Sequence, residues 1–93
     1  MKTLAIESSG ELLHITIENN GQFISQTRLN DKSFSEVIME EVVTLCEKVN
    51  LKLKELELVV TARGPGSFTS LRVGYASAKG IAMAANIPLV SLS

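Results

Sequence analysis

Leu58-Val59-Val60-Thr61-Ala62-Arg63-Gly64-Pro65-Gly66-Ser67-Phe68-Thr69-Ser70 is the stretch that decides the fold. It opens with five apolar or β-branched residues, the composition of a buried strand, and breaks at a Gly-Pro-Gly segment that forbids regular structure. Beyond the break, Ser70 to Asn86 reads as a helix ended by Ile87-Pro88, because proline disfavours the α conformation in the residue before it. Leu89-Val90-Ser91-Leu92 follows as a last strand. Strand, helix and strand in this order require a right-handed crossover between parallel neighbours.

Working back from that unit, Thr3 to Glu18 alternates with period two. Leu4, Ile6, Leu13, Ile15 and Ile17 share a face, and Ser8-Ser9-Gly10-Glu11 breaks the run into a hairpin. Asn19-Asn20-Gly21 signals a second tight turn into a third strand, Gln22 to Leu29. Ser33-Phe34-Ser35-Glu36 offers a capping box for a helix from about Phe34 to Val49. Its buried stripe is Phe34, Val37, Ile38, Val42, Leu45, Cys46 and Val49, with Met39 and Val43 alongside. Asn50 to Glu57 reads as a connection of mixed charge. The expected order is β-β-β-α-β-α-β, an α/β architecture with a mixed five-stranded sheet and two helices.

The 93 residues suit a single domain, which buries roughly 60–70% of its unfolded surface. Nine basic residues against ten acidic ones leave a net charge of −1, without the basic excess of an autonomous nucleic-acid binder. Cys46 is the only cysteine, which excludes an intrachain disulfide or a multi-cysteine zinc site and suits a reducing, cytoplasmic setting. No run approaches the roughly 20 apolar residues of a membrane span.

Two groups could carry chemistry. The glycine-rich loop with Gly64, Gly66, Ser67 and Thr69 joins a strand to a helix, where free N–H groups could hold an anion or nucleotide. It matches neither the P-loop nor the dinucleotide fingerprint, and the alternative is a turn that only small residues can make. Glu7, with Ser8 and Ser9, ends an apolar strand, where a carboxylate is costly unless partnered. His14 has no second histidine, Cys46 lies on a buried stripe, and the hydroxyls of Ser67, Thr69 and Ser70 have no base nearby in sequence. Nothing assembles into a catalytic or metal-binding constellation, so no catalytic residue, metal or cofactor is expected of this chain itself.

The second helix is the most informative element. Arg72, Lys79 and Asn86 repeat every seven residues as one narrow polar stripe, and nearly everything else is apolar or small. Gly74, Ala78 and Ala82, spaced by four, would admit another backbone closely. With Met39 and Val43 they form the expected interface, an apolar surface on which a second chain completes a helical bundle.

Leu4-Ala5-Ile6-Glu7-Ser8-Ser9, the helix start at Ser33, and Gly64-Pro65-Gly66-Ser67-Phe68-Thr69-Ser70-Leu71-Arg72-Val73-Gly74 with Ala78-Lys79-Gly80 together resemble the TsaB family, also called YeaZ. The similarity spans all 93 residues. It implies an actin-like, RNase H-like lobe, the first of two in the family. It also implies a non-catalytic partner of TsaD, alongside the ATPase TsaE, in forming N6-threonylcarbamoyladenosine on tRNA. On that reading tRNA is met only through the complex, the isolated chain forms a homodimer, and nucleotide could bind at a partner interface. Glu7, Phe34 and Ser70 stand where the family usually has Asp, His and Gly. Phe34 also departs from the two-histidine metal motif of TsaD, which argues against a glycoprotease-type metallopeptidase. The competing class is a nucleotide-binding ATPase or phosphotransferase lobe of the actin-like superfamily.

Overall fold

A computed structural model describes residues 1–9, 12–29, 34–63 and 68–92, with the side chains of 9, 34–37, 63 and 68–74 outside the description. The elements are β1 (Lys2–Ser9), β2 (Leu12–Asn19), β3 (Gln22–Leu29), α1 (Phe34–Lys48), β4 (Leu58–Arg63), α2 (Phe68–Ala85) and β5 (Leu89–Leu92). This is the expected order, with one 3-10 turn, Leu53–Glu55, added before β4. The strands lie in the order β3-β2-β1-β4-β5. β1 to β3 form an antiparallel meander, while β4 runs parallel to both β1 and β5.

Alternation along the strands sends one set of side chains to a single core. Leu4 and Ile6 of β1 stand beside Ile17 and Ile15 of β2 and Val59 and Thr61 of β4, all buried. α1 contributes Ile38, Val42, Leu45 and Cys46 to this core, and α2 contributes Ala78, Ile81 and Ala82. Both helices therefore cover the same sheet face. Burying a leucine- or isoleucine-sized side chain contributes about 1.5–3 kcal/mol, so this layer is the main source of stability.

Local geometry sets the boundaries. Asn20 and Gly21 both take positive φ, 50° and 94°, the turn that matches strand twist in a two-residue hairpin. Asn50 and Asn86, each at φ 55°, end the helices in the same way. The Leu51 N–H bonds the Cys46 carbonyl at 2.9 Å, and the Ile87 N–H bonds the Ala82 carbonyl at 3.0 Å. The left-handed asparagine, rather than Pro88, is what stops α2, one residue before the expected end. Leu51 and Leu56, read from sequence as part of a charged connection, are core residues that brace the 3-10 turn.

Polar contacts tie the layers at their margins. Arg28 and Gln26 of β3 both donate to Glu41 Oε1 of α1, the latter at 3.0 Å, while Glu41 Oε2 is buried without a partner among the described residues. Asn19 Nδ2 donates to the Val49 carbonyl at 2.7 Å, fixing the end of α1 over the β2–β3 turn.

The expected small-residue interface is corrected here. Ala78 and Ala82 are 0% and 4% exposed, because they face the sheet and let α2 sit close over β1 and β4. Gly74 lies in α2, its surroundings outside the description. Met39 is partly buried against the core and Val43 is half-buried.

Two stability outcomes follow from this packing. Ala78→Arg should cost about 2–5 kcal/mol by forcing an unpaired charge into the core, whereas Ala76→Arg on the exposed side should leave the stability of the dilute monomer within about 0.5 kcal/mol. Arg28→Ala should cost about 1–3 kcal/mol by leaving the Glu41 carboxylate short of its charged donor. Urea denaturation of the 93-residue chain measures both.

Candidate functional site

Of the two polar groups singled out in the sequence, Glu7 and Ser8 lie at the carboxyl end of β1. β1 and β4 are parallel neighbours, with Glu7 beside Ala62 and Ser8 beside Arg63, so both strands finish together. α2 begins at Phe68, immediately beyond Gly64, Gly66 and Ser67, which lie outside the described residues, as does the Thr69 side chain. The carboxyl ends of adjacent parallel strands, with a helix starting there, are where open α/β sheets place ligands.

The sheet divides these groups between its faces. Ser8 follows Leu4 and Ile6 onto the helix side and is 4% exposed, with Thr61 buried on the same side. Glu7 follows Thr3 and Ala5 onto the opposite face and is exposed. The expected cost of burying its carboxylate therefore does not arise, because strand alternation turns it to solvent. Ser9 is the last residue of β1, its side chain outside the description.

On the open face His14 is in register with Glu7, and its Nδ1 lies 2.9 Å from Thr27 Oγ1 of β3. One row across is a second hydroxyl contact, between Thr16 and Ser25 at 2.9 Å. Ser8 and His14 point to opposite sides of the sheet, so they cannot form a nucleophile–base pair. Cys46 is likewise separated from His14, since it sits in the core between α1 and the sheet. Burial, helped by the Glu47 carboxylate, pushes its thiol up to about 11. Among the described residues no three His, Cys, Asp or Glu side chains group as metal ligands. None of their helices is long and apolar enough to cross a membrane.

The sequence reading missed a different feature of α2. Ala76, Gly80 and Ala84 are exposed at i, i+4 spacing, with Met83 71% exposed beside them, and a Cβ at Gly80 would meet nothing within 4 Å. The polar stripe carries no signal for it. Lys79 and Asn86 lie about 100° around the helix from the middle of either small-residue ladder, so only packing on the sheet separates buried Ala78 and Ala82 from exposed Ala76, Gly80 and Ala84.

A raised thiol pKa leaves roughly a thousandth of Cys46 as thiolate at pH 8. A disulfide reagent should therefore leave the native chain unlabelled at pH 8 and react only as urea unfolds it.

Comparison with known proteins gives the site its family. Residues 22–93 match the TsaD family, described as tRNA N6-adenosine threonylcarbamoyltransferase. The TsaB protein of Escherichia coli, a tRNA threonylcarbamoyladenosine biosynthesis protein, is 28% identical over 100% of this chain and 40% of its own length. YeaZ from Pseudomonas aeruginosa superposes with a TM-score of 0.83 at 23% identity, over 99% of this chain and 43% of that one. RuvC from Thermus thermophilus superposes with a TM-score of 0.64 at 12% identity, over 99% and 61%. These likenesses make the fold RNase H-like, or actin-like, and the chain spans about 40% of the length of the curated relatives it matches. The chain thus belongs to the TsaD family, and within it aligns from end to end with the TsaB, or YeaZ, proteins.

Proposed function

We propose that this chain is a non-catalytic partner that docks a TsaD-like protein during formation of N6-threonylcarbamoyladenosine on tRNA. The observation that carries this reading is the outward ridge of α2. Ala76, Gly80 and Ala84 leave the helix backbone bare enough for a second helix to approach closely, and Met83, with half-buried Met39 and Val43 on α1, supplies apolar contact. The division of Ser8, Glu7 and His14 between opposite sheet faces, and the un-ionised Cys46, support a binding role over a catalytic one. The same ridge serves a homodimer when the chain is alone, so self-association and TsaD binding compete. A TsaE-like ATPase and tRNA join through the complex, in a cytoplasmic setting.

Gly80→Arg tests this directly. A Cβ at Gly80 has open space, so the substitution should leave the fold intact and strengthen the helix by about 0.5–1 kcal/mol. It should also weaken association with a TsaD-like protein by at least about tenfold, equivalent to about 1.4 kcal/mol, in a titration monitored by size-exclusion chromatography. Unchanged association would remove the ridge from the interface.

A further inference from the structure

The two edges of the sheet are guarded differently. β3 forms one edge with eight residues that include Gln22, Gln26 and Arg28, and α1 reaches down to it through Glu41. β5 forms the other with Leu-Val-Ser-Leu, which has no charged residue. Natural sheets normally blunt an edge with charge, proline or a bulge, because its unpaired N–H and C=O groups template another strand.

The direction of those groups follows from the β4–β5 register. The Val59 N–H donates to the Pro88 carbonyl at 3.0 Å, and Val59 is opposite Leu89. Strand alternation then turns the N–H and C=O groups of Leu89 and Ser91 away from β4, towards the free edge. Val90 and Leu92 lie on the open sheet face, 41% and 54% exposed, in register with Val60 and Ala62. On the helix side the edge is flanked by a groove of about 490 Å³ lined by Tyr75, Lys79, Met83, Asn86 and Leu89 among others. Lys79 is the one charged side chain lining it and has no carboxylate partner among the described residues. A strand laid along β5 would therefore send alternate side chains to an apolar face and to a groove holding an unpaired cation.

We infer that β5 accepts an extended segment of a partner protein, in which apolar residues alternate with acidic ones, as a sixth strand. Main-chain bonds to Leu89 and Ser91 hold the segment, its apolar side chains continue the face of Val90 and Leu92, and an acidic side chain meets Lys79. This surface lies on the β5 flank of α2, whereas the ridge of Ala76, Gly80 and Ala84 faces outward; the two share Met83, and Lys79→Glu and Gly80→Arg, which touch one surface each, distinguish the two docking modes.

The probe is an acetylated, amidated pentapeptide, Val-Glu-Val-Glu-Val, titrated into the ¹⁵N-labelled chain, with Val-Lys-Val-Lys-Val as its counterpart. The expected result is amide shifts confined to Leu89–Leu92 and the groove residues of α2, with slowed hydrogen exchange at the Leu89 and Ser91 amides. Lys79→Glu should weaken the acidic probe about fivefold and favour the lysine probe. Ser91→Pro removes only an outward-facing donor, so it should leave the fold intact and abolish binding of the acidic probe. Shifts centred on β3 or α1, or no shifts at all, would overturn the inference. So would equal binding of the two probes, or Leu89 and Ser91 protection that rises with chain concentration and resists the peptide, which would mean that a second copy covers the edge. Should Ser91→Pro unfold the chain, Lys79→Glu decides alone, and unchanged affinity for the acidic probe refutes the proposal.

Discussion

Everything in this molecule is arranged around a sheet with one apolar face to bury and two helices to bury it. Leu4, Ile6, Ile15, Ile17 and Val59 are all less than 2% exposed beneath α1 and α2. That layer dictates where small residues must go, since α2 can lie over the central strands only if Ala78 and Ala82 stand between its backbone and the sheet. It also dictates where chemistry cannot happen. Period two puts Ser8 under the helices and Glu7 with His14 in the open, so the groups that sequence proximity would pair are separated by the thickness of the sheet.

Much of the architecture was legible because it is written in periods. The alternation at Leu4, Ile6, Leu13, Ile15 and Ile17 specified a meander, and the apolar run at Leu58 specified the strand that pairs in parallel beside it. The same alternation already turned Glu7 outward, and the notion of a costly buried carboxylate arose from weighing its neighbours' hydrophobicity without their parity. α2 was harder. Its residues form two interleaved ladders of small side chains, one at Gly74, Ala78 and Ala82 and one at Ala76, Gly80 and Ala84, with the same spacing. Neither composition nor the polar positions Lys79 and Asn86, which lie midway between the two ladders, can rank them, and only packing on the sheet breaks the tie. Leu51 and Leu56 escaped because single leucines among Lys52, Lys54, Glu55 and Glu57 show no period, and their burial depends on the 3-10 turn that packs them.

Charge is confined to the rim of the core. Lys2 lies 3.7 Å from Glu55, and the Lys2 backbone N–H also donates to Glu57 Oε1 at 2.9 Å, fastening the start of β1 to the turn before β4. The Lys52 backbone N–H, bonded to Glu55, with Lys2 and Lys52 nearby, holds that carboxyl below its ordinary range. The contact is present at neutral pH and weakens as acid protonates Glu55. Glu41 does equivalent work at the opposite margin, linking α1 to Arg28 and Gln26. Both sets of contacts position elements, the Glu41 carboxylate being held by its Oε1 while its Oε2 stays buried without a partner among the described residues.

The double pairing of β1 gives the chain a built-in order of assembly. Its antiparallel partner is the next strand along, with Ser9 opposite Leu12, whereas its parallel partner joins Leu4 to Val59 across two strands, a helix and a 3-10 turn. Closing the long loop carries an entropic cost that the hairpins do not face, so the three-stranded meander is favoured to form before β4 inserts. On a ribosome, which emits β1 before β4, that interval is physical time, during which β1 has one satisfied edge and one bare edge until the stretch around Val59 emerges. The early arrival of α1 over Leu13, Ile15 and Ile17 would then shield the growing apolar face, while the edge itself waits for a strand of its own chain.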